Sequence, residues 1–206
     1  MWLKICGVTR EEDARLAASL GVDAIGLVFW PHSRRSVDVD RACRIAGALP
    51  AGVATVGVFV DEAVEKVRLV ASQVGLHFVQ LHGAETPQVC RQMARPVIKA
   101  FGVGPRFDES VVDAYPEAIV LLDADAPESK GGTGMPADWE VAARVARRRP
   151  VILSGGLSPE NVAEAIARVA PHGVDVSSGV EASPGIKDAE RVRRFVAAVR
   201  QAGGQA

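Results

Sequence analysis

Two side chains at the ends of apolar runs could divide a proton transfer between them. Cys6 closes the run in Lys4-Ile5-Cys6-Gly7, and Asp123 closes Ile119-Val120-Leu121-Leu122-Asp123. A thiolate can take a proton and a carboxylic acid can give one, provided the fold brings both to one pocket and tunes them in opposite directions. At pH 7 a thiol of pKa about 8.5 is only about 3% thiolate, while a free aspartate of pKa about 3.9 is almost wholly ionised. Each residue also has a plainer reading. Free cysteine is a common and inert core residue, and aspartate often caps a turn. For Asp123, periodicity alone leaves both readings standing.

The elements that must position these groups are legible as eight short apolar runs, near 2–6, 23–28, 53–60, 77–81, 96–101, 118–122, 150–153 and 173–177. Helical patterns lie between most of them, over 11–20, 39–49, 62–74, 86–93, 139–147, 159–169 and 189–199. The connection 102–116 is rich in proline and glycine and is expected to hold little helix. Continuous apolar strands alternating with helices predict a parallel sheet covered on both faces. About 26 residues per unit, near the roughly 30 of a compact strand-helix repeat, predict an α/β, single-domain (βα)8 TIM barrel with parallel strands over 1–206. A doubly wound open sheet is the alternative. It usually opens on a glycine-rich dinucleotide turn, and Cys6-Gly7-Val8-Thr9 is not one.

In such a barrel the loops after the strands carry the site. Polar residues at those ends are Cys6, Arg34-Arg35, Asp61, Gln80 with His82, Lys99, Asp123, and two glycine-bearing turns. These turns, Ser154-Gly155-Gly156-Leu157-Ser158-Pro159 and Ser177-Ser178-Gly179-Val180-Glu181, follow runs seven and eight. Barrels commonly bind phosphate there, where backbone N–H groups approach an anion unobstructed by a Cβ. Alternation puts Leu121 and Asp123 on one face, and Lys4 on the face of Cys6. A mid-strand lysine needs a partner, and Asp175 on the last strand, beside the first in a closed barrel, is expected to pair with it. His82 suits acid-base work near neutral pH, but a strand-end histidine is often only a wall residue. With Gln80 it is placed in the substrate pocket.

Composition narrows the class. The net charge of −1 offers no nucleic-acid footprint, and no apolar stretch is long enough for a membrane span. Three cysteines, Cys6, Cys43 and Cys90, without CxxC spacing imply neither a disulfide framework nor a zinc site and fit a reducing cytoplasm. Cys43 and Cys90 fall within helical patterns. The basic run Arg147-Arg148-Arg149 reads as a solvated helix end.

Taken in order, Lys4-Ile5-Cys6-Gly7, Pro31-His32-Ser33-Arg34-Arg35, Gly57-Val58-Phe59, Gln80-Leu81-His82-Gly83, Leu121-Leu122-Asp123, Gly131-Gly132-Thr133-Gly134, Ser154-Gly155-Gly156-Leu157 and Ser177-Ser178-Gly179-Val180-Glu181 span nearly the whole chain. The ordered set resembles the phosphoribosylanthranilate isomerase family. The resemblance implies an enzyme of tryptophan biosynthesis that performs an Amadori rearrangement, with Asp123 as general acid and Cys6 as general base. It implies that Arg35 holds the anthranilate carboxylate and that the glycine turns, with Gly132, Gly155, Gly156, Ser178 and Gly179, hold substrate. It implies a small phosphorylated substrate and neither metal nor organic cofactor; a homodimer is the assembly kept in view. A sugar-phosphate epimerase would want several metal-ligating histidines and acids at strand ends. Indole-glycerol-phosphate synthase would want a catalytic lysine where Cys6 stands. A regulatory phospholigand-binding barrel would bind without turnover.

Overall fold

Eight parallel strands form a closed barrel in chain order. The computed structural model describes residues 1–104, 106–124 and 138–204. The strands are β1 (Trp2–Ile5), β2 (Ala24–Val28), β3 (Ala54–Phe59), β4 (Phe78–Leu81), β5 (Val97–Val103), β6 (Ile119–Ala124), β7 (Val151–Leu153) and β8 (Gly173–Val176). Closure comes from β1 pairing with β8, in a register that sets Lys4 beside Asp175. The helices are α1 (Glu11–Ser19), α2 (Val39–Gly47), α3 (Val64–Val74), α4 (Pro87–Arg91), α5 (Trp139–Ala146), α6 (Val162–Val169) and α7 (Ala189–Gly203). Aspartate or threonine at the N-cap accepts a backbone N–H in four of them, through Asp38, Thr86, Asp138 and Asp188, which fixes where those helices start.

Strand alternation sorts the apolar residues into two cores. Leu3, Ile5, Val120, Leu122 and Leu153 point outward and pack beneath the helices. Ala24, Val56, Ile98, Ala100, Leu121 and Ile152 fill the barrel interior. Above them, toward the strands' C-terminal ends, Cys6, Val28 and Val58 form a smaller cluster with Trp30 against it. This stacking of interior layers brings Cys6 and Asp123 to the mouth, since each lies two residues beyond an inward-facing position of its own strand.

The connection after β5 holds a single short 3-10 helix, Glu109–Ala114, in keeping with the little helix expected there. Two other features differ from expectation. The Arg147–Arg149 run is not wholly solvated: Arg149 donates to the carbonyls of Val112, Tyr115 and Ala118, clamping that same connection onto the end of α5. After β8 the chain makes a short 3-10 turn, Ser178–Val180, and then a small hairpin of β9 (Glu181–Ser183) and β10 (Ile186–Lys187) that no period in the sequence announced.

Candidate active site

The base of the site is ionic. Lys4 Nζ donates to Asp175 Oδ2 at 2.7 Å, with both side chains buried. Burial works against the lysine's charge, yet Asp175 and the nearby Cys6 hold its pKa above the ordinary value. Burial also pushes the Asp175 carboxyl up, and the contact with Lys4 offsets this only in part. Asp175 lines the cavity above, and its Oδ1 has no hydrogen-bond partner among the described residues. Removing one member of a buried pair strands the other. Lys4→Met is therefore expected to cost about 3–5 kcal/mol of stability. The double variant with Asp175→Leu should recover most of that loss, as read from urea unfolding.

Cys6 Sγ fills the space left by Gly26 on β2, where a Cβ would come within 2.6 Å of the sulfur. Burial pushes the thiol up; Lys4 pulls it down, Asp175 pushes it up again, and Lys187 pulls it down. The resting group is a protonated thiol with two lysines arranged to favour its ionised form.

Asp123 sits at the end of β6 with Oδ1 accepting from the backbone of Ala124 at 2.8 Å. Its Oδ2 lies 3.2 Å from His82 Nε2. The other ring nitrogen, Nδ1, is 2.9 Å from Gln80 Nε2. With the Gln80 amide nitrogen as donor to Nδ1, the histidine carries its proton on Nε2 and presents it to Asp123. Gln80 and His82 are thus joined to the carboxylate, and the histidine is more than a wall residue.

Arg35 reaches the site in the loop after β2. Its Nε and Nη2 form a fork on Glu181 at 2.8 and 2.7 Å. Hydrogen bonding to Glu181 raises the guanidinium further and, with Lys187, outweighs burial to hold the Glu181 carboxyl below the usual range. One edge of the guanidinium is thereby engaged. The edge formed by Nη1 and Nη2 remains geometrically suited to a second carboxylate.

The two glycine turns lock against their neighbours. Gly155 has φ 84°, and a Cβ there would meet Ala124 N at 2.4 Å and Asp123 Oδ1 at 2.8 Å, so only glycine lets this turn lie against Asp123. At Gly179 a Cβ would fall 1.9 Å from the Leu157 carbonyl oxygen, so the turns after β7 and β8 touch through backbone. Asn161 shapes the first of them, accepting from Ser158 N and donating to the Gly156 carbonyl, each at 2.8 Å. Among the described residues the N–H groups of Gly155 and Gly156 have no protein acceptor. Amides left open in this way can take an anion.

One cavity of about 510 Å³ collects these groups. Cys6, Arg35, Gln80, His82, Asp123, Gly155, Gly156, Asp175 and Ser178 line it. Lys4 lies beneath and Gly179 behind, neither in the wall; Gly132 falls outside the described residues. Two polar residues expected at strand ends turn away, and one of them, Lys99, stands in the middle of β5. Lys99 is out of phase with the inward Ile98 and Ala100, and its ammonium binds Glu85 and the carbonyls of Leu81, Gly83 and Ala100. Asp61 caps Ala84 N. The sequence reading missed Trp30, a half-buried aromatic wall whose only signal was its place after β2, and gave no role to Glu181 or Lys187.

A closed parallel barrel with its polar cavity at the C-terminal ends of the strands defines a (βα)8-barrel protein. The family model for N-(5'-phosphoribosyl)anthranilate isomerase matches residues 3–198, and the chain belongs to that family. An isomerase of this name from Rubrobacter xylanophilus is 50% identical over 202 residues, covering 96% of this chain and 98% of the relative. One from Geobacter sp. is 48% identical over 200 residues, covering 97% and 98%. Among solved structures, phosphoribosyl anthranilate isomerase from Thermotoga maritima superposes with a TM-score of 0.91 at 44% identity, covering 98% of this chain and 99% of its own. A second isomerase structure was solved in complex with reduced 1-(o-carboxyphenylamino)-1-deoxyribulose 5-phosphate. It superposes with a TM-score of 0.88 at 43% identity, with coverage of 98% and 99%. Among the described residues no helix is long and apolar enough to cross a membrane.

Proposed function

We propose that this chain isomerises N-(5'-phosphoribosyl)anthranilate to 1-(2-carboxyphenylamino)-1-deoxyribulose 5-phosphate, an Amadori rearrangement of tryptophan biosynthesis. Family membership over residues 3–198 supports the reaction. The observation that carries it to the site is that a thiol and a carboxyl group, Cys6 and Asp123, line one cavity with an arginine fork and two glycine turns.

In the first step Asp123 gives its proton to the ring oxygen of the ribose. The C1–O bond breaks, the nitrogen lone pair forms the C=N bond, and an open-chain iminium results. That cation acidifies the C2 hydrogen, so a modest base suffices. Cys6 as thiolate takes the C2 proton, and the electron pair moves into C1=C2 to give the enolamine. Protonation at C1 and loss of the hydroxyl proton at C2 then yield the ketone. Arg35 holds the anthranilate carboxylate on its open edge, Trp30 offers a face to the anthranilate ring, and the amides of Gly155, Gly156 and Ser178 hold the 5-phosphate, with Gly179 behind them letting the two turns meet. His82, fixed by Gln80, keeps Asp123 aimed at the ring oxygen. A homodimer is the assembly proposed, on the ground that a dimeric family member is known from Thermotoga maritima.

The test is the disappearance of anthranilate fluorescence when the purified protein meets phosphoribosylanthranilate. Catalytic turnover is expected. Binding of a product analogue with no turnover would instead favour a regulatory phospholigand barrel.

A further inference from the structure

Lys187 has no role in the reaction as described, yet its ammonium is buried directly behind the catalytic strand end. It donates to the Cys6 carbonyl at 2.6 Å, to the Ser177 carbonyl at 3.1 Å and to Glu181 Oε1 at 2.9 Å. Those three acceptors use all three of its N–H donors. Glu181 is in turn the carboxylate gripped by Arg35, and its Oε1 also accepts from Gly185 N at 3.2 Å. The hairpin that carries Lys187 is anchored a second time, by the Lys187 backbone N–H on Asp13 Oδ2 at 3.2 Å. One buried cation therefore touches the base-bearing strand, the turn after β8 and, through a single carboxylate, the arginine.

We propose that Lys187 is a positioning residue for this reaction: it fixes the Cys6 and Ser177 strand ends in register and supplies positive charge on the thiol's side of the cavity. The inference rests on the assignment of Cys6 as the base. A lysine is costly to bury without need. Holding two carbonyls calls for N–H donors alone, and Glu181 already answers Arg35, so a second cationic group on that carboxylate requires its own account. The substrate provides it: phosphate and carboxylate bring anions to a cavity in which a neutral thiol must become an anion. The charged groups around Cys6 are Lys4 on β1, Asp175 on β8, Arg35 in the loop after β2, Glu181 at the start of β9 and Lys187 on β10, with Asp123 and His82 on the same cavity wall. Lys4 is paired to Asp175 and Arg35 to Glu181. Lys187 shares Glu181 with Arg35, so one carboxylate answers two cationic groups; burial and Arg35 pull the Lys187 ammonium below its ordinary value, and Glu181 and Cys6 push it back up.

The test reads the thiol itself, independently of turnover. In a Cys43→Ser, Cys90→Ser background, the rate of Cys6 alkylation by iodoacetamide against pH reports thiolate formation. Lys187→Gln keeps an amide donor for the carbonyls and removes the charge. Its alkylation profile is expected to move to higher pH by about one unit, a tenfold loss of thiolate below the midpoint. Its kcat/KM deficit should shrink as pH rises, which a purely structural defect would not do. An unmoved alkylation profile in the folded variant would overturn the proposal. In the unsubstituted chain, the 13C resonance of Lys187 Cε should shift through the same pH range in which Cys6 ionises. A Lys187 signal flat through the thiol titration overturns it without any variant. Loss of turnover in the wild type with the thiol coupling intact would count against the isomerase reading and not against this one.

Discussion

Cys6→Ser is expected to lower kcat/KM roughly a thousandfold, within the 10²–10⁴ range of a lost general base. Serine keeps the size of the side chain and its place beside Gly26, but its hydroxyl does not ionise near neutral pH. Substrate binding should change little, because Arg35 and the glycine turns remain. The pH dependence carries the sign of the perturbation. Burial pushes the wild-type thiol up, and Lys4 and Lys187 only partly offset this. Thiolate therefore forms as pH rises, and kcat/KM should climb on the alkaline side of neutrality along the Cys6 ionisation. In Cys6→Ser that limb should vanish. Full activity of the serine variant would remove Cys6 from the mechanism.

Asp123→Asn is expected to cause a loss of similar size, about 10²–10⁴-fold. The amide fits where the carboxylate was, between Ala124 N and His82, but cannot deliver a proton to the ring oxygen. Asparagine Oδ1 can still accept from Ala124 N, and its NH2 can donate to His82 Nε2 once the histidine takes the other tautomer and the Gln80 amide turns its oxygen to Nδ1, so the fold should be kept and unfolding midpoints of the two proteins should agree closely. Ring opening precedes proton removal at C2. The variant should therefore bind substrate and leave it as the closed sugar, which 13C NMR of C1 would show. An open-chain species accumulating on Asp123→Asn would place the acid elsewhere, with His82 the nearest candidate at 3.2 Å.

Much of this architecture was legible because parallel strands covered on both faces read as continuous apolar runs. Each of the eight strands falls within or beside a run seen in the sequence, and β8 ends one residue early, at Val176. Helix ends were less legible. The helix anticipated from Pro159 begins at Val162, because Asn161 spends its side chain on Ser158 and Gly156 and holds a turn there. Continuous runs also conceal which residues look inward. Cys6 and Asp123 had the right parity relative to Lys4 and Leu121, whereas Lys99, in the middle of the run 96–101, is out of phase with the inward Ile98 and Ala100. The chain Arg35–Glu181–Lys187 was illegible for a different reason. It joins residues 146 positions apart through a hairpin too short to have a period, and only the folded loop brings them within hydrogen-bond distance.

The transfer of the sugar C2 hydrogen is the step on which the division of labour between Cys6 and Asp123 turns. Single-turnover conversion of phosphoribosylanthranilate deuterated at C2, compared with the protiated substrate, measures it directly. The unsubstituted protein should convert both, the deuterated one more slowly, and Cys6→Ser should convert neither on that timescale. Conversion by Cys6→Ser at the wild-type rate, with the isotope effect unchanged, would contradict the assignment of the thiol as the base.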